Sequence, residues 1–191
     1  EGTNFQAIID AVRRKTLNAT IALVISDRKG AFALTRAERA GIEKVVLRPR
    51  DYPSRERYEQ ALLHLLKSRR VELIVLAGFM RILSPTFIRA YRNRILNIHP
   101  ALLPSFRGMN AIQDALAYGV RVTGVTVHLV DEGVDTGPIV LQEVVAIKPN
   151  DTDKTLHERV HHLEHRLYPK AIALLLKQKL RVAGRKVEIV R

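Results

Sequence analysis

The strongest constraint on the fold is a pair of apolar runs that do not alternate. Residues 19–26 and 73–77 lack the in–out pattern of a strand with one face in water. Such strands must be covered on both faces, as in parallel sheets flanked by helices. Helical patterns fill the intervals. Residues 31–40 read as a helix ended by Gly41, and 54–68 opens on Ser54 as N-cap, with Tyr58, Leu62, Leu65 and Leu66 at helical spacing. Between them, 45–47 predicts a short strand. Gly78 stops the second apolar run, a helix begins at Ser84-Pro85, a strand covers 94–98 and a helix spans about 111–118. Strands at 122–130 and 139–147 follow, then a long helix from about Thr152 that Pro169 is expected to kink or interrupt. The tail, 180–190, reads as a short hairpin or edge strand. This alternation predicts an α/β fold, an open, mostly parallel twisted sheet with helices on both faces and right-handed crossovers. Sites in such sheets lie beyond the carboxyl ends of the strands. No repeat, low-complexity tract or Pro/Gly/Ser-rich linker divides residues 1–191, which read as one domain.

Composition narrows the function classes. Hydrophobic residues make up 47% and charged residues 27%, enough apolar material for a core without a disorder signature. No apolar run reaches the roughly 18 residues of a membrane span. The absence of cysteine removes disulfides, thiolate metal sites and cysteine nucleophiles, and fits a reducing cytoplasm. Lysine and arginine outnumber aspartate and glutamate 32 to 19, for a formal charge of +13. Such a surface attracts nucleic acid, anionic lipid, or phosphorylated and carboxylated metabolites. The cations are scattered in short pairs such as Arg13-Arg14 and Arg69-Arg70, and aromatics are only 5%, which disfavours a stacking platform for nucleic acid. They read mainly as solvated helix faces.

Several short segments carry chemistry. Gly2-Thr3-Asn4 runs straight into an amphipathic helix bearing Ile8, Ile9 and Val12. Exposed N–H groups at such a helix start suit a phosphate, and the turn normally follows a strand. We therefore expect a first strand, about six to eight residues long, ahead of Glu1. Asn97 and His99 end a strand two residues apart, on one face. A carboxamide can donate to a developing oxyanion and an imidazole can donate or shuttle a proton. Equally, the pair can simply satisfy loop backbone. Residues 131–138 form a tight acidic loop whose aspartates are ordinary turn formers, yet a carboxylate near His99 would favour the imidazolium. Residues 77–85 offer the backbone groups and apolar side chains that a flat aromatic ligand requires, or ordinary loop-to-helix packing.

In this order and spacing, the chain resembles the glycinamide ribonucleotide formyltransferases, folate-dependent enzymes of purine synthesis. The resemblance runs from Gly2 to about Ile172 through Gly2-Thr3-Asn4, Ser54-Arg55, residues 77–85, Asn97-Ile98-His99-Pro100, Gly124-Val125-Thr126-Val127-His128 and residues 131–138. It implies that Gly2, Thr3 and Asn4 bind the ribonucleotide phosphate and that Glu164 holds the glycinamide end. It further implies that Arg55, Met80, Arg81, Ile82, Leu83, Asn97, Asp131, Glu132, Gly133, Val134 and Asp135 receive 10-formyltetrahydrofolate. Asn97, His99 and Asp135 would form the catalytic trio, with a protonated His99 whose pKa Asp135 raises. Asn110 stands where some members carry histidine and is given no catalytic role. Residues 1–95 would form the nucleotide-side half, and 96–191 the folate and catalytic half with the C-terminal helix. The resemblance implies a cytoplasmic enzyme acting on small molecules, without metal or membrane, and leaves room for a homodimer.

Other readings compete. His157-Glu158-Arg159-Val160-His161 matches H-E-x-x-H, and residues 161–165 match H-x-x-E-H, both zinc-protease signatures. The stretch closes a parallel α/β pattern, Arg159 adds positive charge, and Glu188 is the only acidic residue after His165. We read it as a polar helix face whose histidines are solvated or adjacent to substrate. A formyltetrahydrofolate hydrolase or a methionyl-tRNA formyltransferase would share the trio but carry an extra domain. A basic nucleic-acid-binding module would leave the trio unexplained.

Overall fold

Two helix starts in the N-terminal half follow a local rule that the chain spells out. In this computed structural model, which describes residues 2–190, Ser54 accepts a hydrogen bond from the Arg57 amide at the head of α3 (Arg55–Ser68). Ser84 likewise accepts from Phe87, with Pro85 in the first turn of α4 (Pro85–Ala90). The remaining helices are α1 (Thr3–Arg13), α2 (Phe32–Arg39), α5 (Ala111–Tyr118) and α6 (Asp153–Leu176). Thr152 and Thr155 cap the start of α6 reciprocally. The strand expected ahead of Glu1 lies outside the described residues.

The expected open α/β sheet is present. Strands β3 (Ile74–Leu76) and β4 (Ile95–His99) pair in parallel, then β5 (Val122–Leu129) and β6 (Ile139–Ala146) add antiparallel, in the order β3-β4-β5-β6. Strands β1 (Val24–Ser26) and β2 (Lys44–Val46) form a separate parallel ladder, and β7 (Leu180–Ala183) with β8 (Lys186–Ile189) form the C-terminal hairpin.

Side chains alternate between two helix layers. Val75, Leu96 and Ile98 join Val125, Val127 and Leu129 against α1, α5 and α6. Ile74, Leu76 and Ile95 face the other way, onto Tyr58, Leu62 and Leu66 of α3 and Phe87 and Ile88 of α4. Period-two alternation thus places the sheet between helices on both faces. A smaller cluster of Phe5, Ile9 and Ala37 ties α1 to α2.

Three local expectations are corrected. The strand drawn over 19–26 is confined to Val24–Ser26, and that over 73–77 to Ile74–Leu76, both half-buried. An apolar run states a preference for burial, whereas a strand also needs a partner ladder; residues 19–23 have none, and Ala19 and Ile21 pack as loop side chains. Pro169 does not interrupt α6, which continues to Leu176. Its neighbours Leu167, Tyr168, Ala171 and Ile172 are buried, and that packing outweighs the roughly 3 kcal/mol cost of an internal proline.

Candidate active site

Because β4 places alternate residues on one face, Asn97 and His99 share the side turned away from α6, together with Ile95. The antiparallel register with β5 sets Asn97 opposite His128 and His99 opposite Thr126. The loop after β4 is anchored beneath them. Thr126 Oγ1 donates to the Ala101 carbonyl at 2.6 Å and accepts from the Leu103 amide at 3.0 Å, while Gln142 Nε2 donates to both Thr126 and Leu103. All of Thr126 is buried, so this network holds the loop with few alternatives.

The loop after β5 supplies the third group. Gly137 lets the backbone close against β5, since a Cβ there would collide with the Leu129 carbonyl. Asp131 steadies the same loop by accepting from the Gly133 amide and the Thr136 hydroxyl, the role of a turn former. Asp135 then sits at φ 51° and accepts from the Gly108 amide at 2.9 Å. Its two oxygens face two imidazoles, Oδ2 at 3.5 Å from His99 Nδ1 and Oδ1 at 3.6 Å from His128 Nε2.

The ring nitrogens have assignable roles. His99 Nε2 donates to the Phe106 carbonyl at 2.8 Å, and Phe106 holds that carbonyl from an unusual φ of 51°. His128 Nδ1 donates to the Leu129 carbonyl at 2.9 Å, so in the neutral ring Nε2 accepts from Asn97 Nδ2 at 3.2 Å. Burial pushes the His99 pKa below its ordinary value; the Phe106 carbonyl and Asp135 pull upward but do not prevail, and His128 adds to the depression. Asp135 thus acts in the expected upward direction, but burial outweighs it and the net shift is downward, although both nitrogens are satisfied only in the imidazolium. Burial also works to raise Asp135, but the facing His128, the hydrogen bond from the Gly108 amide and the nearby His99 bring it down to about 2.

A second cluster forms at the head of α1. Gly2 takes the left-handed conformation at φ 70° as N-cap, without a side-chain cap, leaving the amides of the first turn open. Asn4 Nδ2 donates to Glu164 Oε2 at 2.9 Å, and His161 Nδ1 lies 3.4 Å from both Thr3 Oγ1 and Glu164 Oε2. Burial raises the Glu164 pKa to about 7, against the pull of Asn4. One turn along α6, the Tyr168 hydroxyl reaches the Leu76 and Leu96 carbonyls, tying the helix to the ends of β3 and the middle of β4. The sequence separation of about 160 residues between Asn4 and Glu164 is closed only by the fold.

Arg55 and the segment after β3 form the third part. Arg55 Nη2 donates to the Ile82 carbonyl at 2.5 Å, and its Nε pairs with Glu59 at 3.2 Å. Buried Glu59 also accepts from the Ser84 amide and hydroxyl, which pins the loop from both ends. Met80, Ile82 and Val134 are exposed, apolar surface available to a ligand, and Arg81 pairs with Asp27. Leu83 differs: its side chain belongs to the core. Glu132 is likewise peripheral, reaching Arg89 at 3.5 Å.

The histidine-rich face of α6 has a different geometry from a zinc site. The rings of His157 and His161 stack at 4.4 Å with 28° between planes, and among the described residues no group of three or more His, Cys, Asp or Glu is arranged to hold a metal. No helix among the described residues is long and apolar enough to cross a membrane.

Residues 1–172 match the Formyl transferase family model. The chain belongs to the formyl transferase family. This formyl transferase is similar to the phosphoribosylglycinamide formyltransferase of Bacillus subtilis, 43% identical over 92% of this chain and 90% of that protein. Its fold matches the crystal structure of glycinamide ribonucleotide transformylase 1 from Symbiobacterium toebii with TM-score 0.97 and 46% identity, covering 100% of this chain and 90% of that one. It is also 50% identical, over 95% of its length, to the trifunctional purine biosynthetic protein adenosine-3 of Drosophila pseudoobscura pseudoobscura, of which it spans 13%.

Three contributors were not assigned roles from the sequence. His128 lay inside a quoted stretch, but its pairing with Asn97 depends on strand register. Glu59 could have been found from its i,i+4 spacing to Arg55. His161 reads from sequence as part of a polar helix face, solvated or adjacent to substrate, and no local signal joins it to Thr3.

Proposed function

We propose that this formyl transferase moves the formyl group of 10-formyltetrahydrofolate to the amine of glycinamide ribonucleotide in de novo purine synthesis. The observation that carries the reading is the single carboxylate of Asp135 between His99 and His128, with the Asn97 amide alongside. The amine attacks the formyl carbon, and negative charge grows on the formyl oxygen. Asn97 donates to that oxygen from its amide, and His99 becomes a better proton holder as the oxyanion develops beside it. Asp135 keeps the imidazolium oriented and offsets part of the cost of its burial. One proton leaves the attacking nitrogen and one reaches N10 of the folate as the carbon–N10 bond breaks. No step calls for a metal ion.

In this reading the first turn of α1 at Gly2, Thr3 and Asn4 binds the ribonucleotide phosphate, and Glu164 receives the glycinamide end. Arg55, Met80, Arg81, Ile82 and the Leu83 backbone hold the folate on one side, and residues 131–135 on the other. Fixing both reactants in one cleft supplies much of the remaining acceleration.

The test is a steady-state assay with 10-formyltetrahydrofolate, with and without glycinamide ribonucleotide, following folate product by absorbance. Turnover that requires the ribonucleotide is the expected result. Turnover in its absence would make the protein a hydrolase, and silence in both conditions would remove the transferase reading.

A further inference from the structure

The loop after β4 does more than support the trio, for it also walls a cavity of about 370 Å³. Leu102, Ser105 and Phe106 line it from the loop, and Val120, Arg121 and Val122 from the entry to β5. The antiparallel register pairs His99 with Thr126, so Val122 lies beyond the carboxyl end of β4. None of these residues belongs to the site proposed for either substrate.

The lining combines an apolar wall with one cation. Leu102, Phe106, Val120 and Val122 supply the wall, and Arg121 is the only charged residue of the set. Among the described residues Arg121 has no ion pair. Val122 is exposed, and so is Tyr118, whose ring meets Phe106 edge-on at 6.1 Å. Exposed apolar side chains grouped at a concavity mark a binding site. A plain hydrocarbon would leave Arg121 without a counter-charge, and a polyanion would gain nothing from the wall. The chemistry that uses both is one carboxylate on a flat apolar body, the anion at Arg121 and the body against Phe106.

The same loop reaches the trio. The Phe106 carbonyl accepts from His99 Nε2 at 2.8 Å, from a φ of 51° that only the surrounding structure can hold. Two residues on, the Gly108 amide donates to Asp135 at 2.9 Å. The Ser105 amide closes the turn on the Leu102 carbonyl at 3.0 Å. A ligand that fits the cavity as it stands binds this arrangement of the loop better than an opened one, and so favours it.

We propose that this cavity binds a small aromatic monocarboxylate separately from the substrates, and that occupancy steadies residues 102–108 against His99 and Asp135. The site stands on the cavity and on the loop's own bonds, so it does not depend on which substrates the enzyme takes.

The probe is cinnamate, with neutral cinnamamide as its comparison, titrated into the isotope-labelled whole chain and followed by amide NMR. Shifts should concentrate at residues 102–108 and 120–123, with a Kd of about 1 mM, as a ligand of this size allows. Cinnamamide should bind about fivefold more weakly, which is the worth of one exposed charge pair. Arg121→Glu should lose at least as much affinity for cinnamate with an unchanged circular dichroism spectrum, and Arg121→Lys should keep most of it. At about ten times Kd, solvent exchange of the Ser105 and Gly108 amides should slow about tenfold. Shifts confined to Asn4, Glu164, Arg55 or residues 80–83 would put the probe in the substrate cleft and overturn the proposal. Absence of saturable shifts, equal affinity for acid and amide, or exchange unaltered at saturation would overturn it too. So would a dimer in sedimentation that Arg121→Glu dissociates, which would give this face to a second copy of the chain.

Discussion

Asp135 and Glu164 are two partly or wholly buried carboxylates that the fold tunes in opposite directions. Asp135 is held near 2 by the histidines and the Gly108 amide, so it contributes stability above about pH 3.8 and loses that contribution as pH falls through 2. Asp135→Asn keeps the shape and an oxygen for Gly108 but removes the charge that orients His99. We expect kcat to fall about a hundred- to a thousandfold with an unchanged circular dichroism spectrum; near-normal turnover would remove Asp135 from the mechanism. Glu164 behaves inversely. Its pKa of about 7 exceeds the ordinary 4.5, so the native state binds the extra proton, and stability is greatest below about pH 4.5 and declines as pH rises to about 7. Glu164→Gln retains an acceptor for Asn4 and should flatten that decline, on the order of 2–3 kcal/mol, in denaturation profiles at pH 5 and pH 8. A wild-type profile with no slope in that window would count against the shift.

At the scale of elements, the site depends on two loops that neighbouring strands hold rigid. The loop after β4 hangs on the Thr126 hydroxyl, which serves Ala101, Leu103 and Gln142 together. Thr126→Val is nearly isosteric but strands a buried amide and carbonyl, and should cost about 1–3 kcal/mol in urea unfolding. A loss below a few tenths would show that water replaces the hydroxyl. The loop after β5 closes only because Gly137 lacks a side chain. Gly137→Ala must move that loop and Asp135 with it, and displacements of about 1 Å in an active site cost on the order of a hundredfold in rate. We expect kcat/KM to fall accordingly; unchanged kinetics would mean the loop adapts without shifting Asp135. On the other face, Tyr168 fastens α6 to β3 and β4.

The whole molecule carries a formal charge of +13, and both proposed substrates are anions. Long-range attraction of this kind acts on encounter and is screened beyond about 10 Å at 0.1 M salt. With a monoglutamate folate, kcat/KM should therefore fall about three- to tenfold between roughly 20 mM and 0.5 M salt, while kcat stays level. Salt-independent kcat/KM would confine the charge to a solvating role. Candidate residues for each proposed substrate are distant in sequence: Asn4 meets Glu164, while Arg55, bonded to the Ile82 carbonyl, is proposed to share a ligand with residues 131–135. The core between two helix layers makes that possible, because it brings both ends of the chain onto one sheet.

Local patterning was enough for the α/β class, the helix starts at Ser54, Ser84 and Thr152, and the shared face of Asn97 and His99. These follow from periodicity, capping chemistry and the two-residue repeat of a strand, all of which act over a few residues. The lengths of β1 and β3, the unbroken course of α6, the pairing of His128 with Asn97 and the meeting of Asn4 with Glu164 were decided by the tertiary structure. Each depends on a partner distant in sequence. The protonation balance of His99 belongs with them, since burial is a property of the packed molecule and overrides the neighbouring carboxylate.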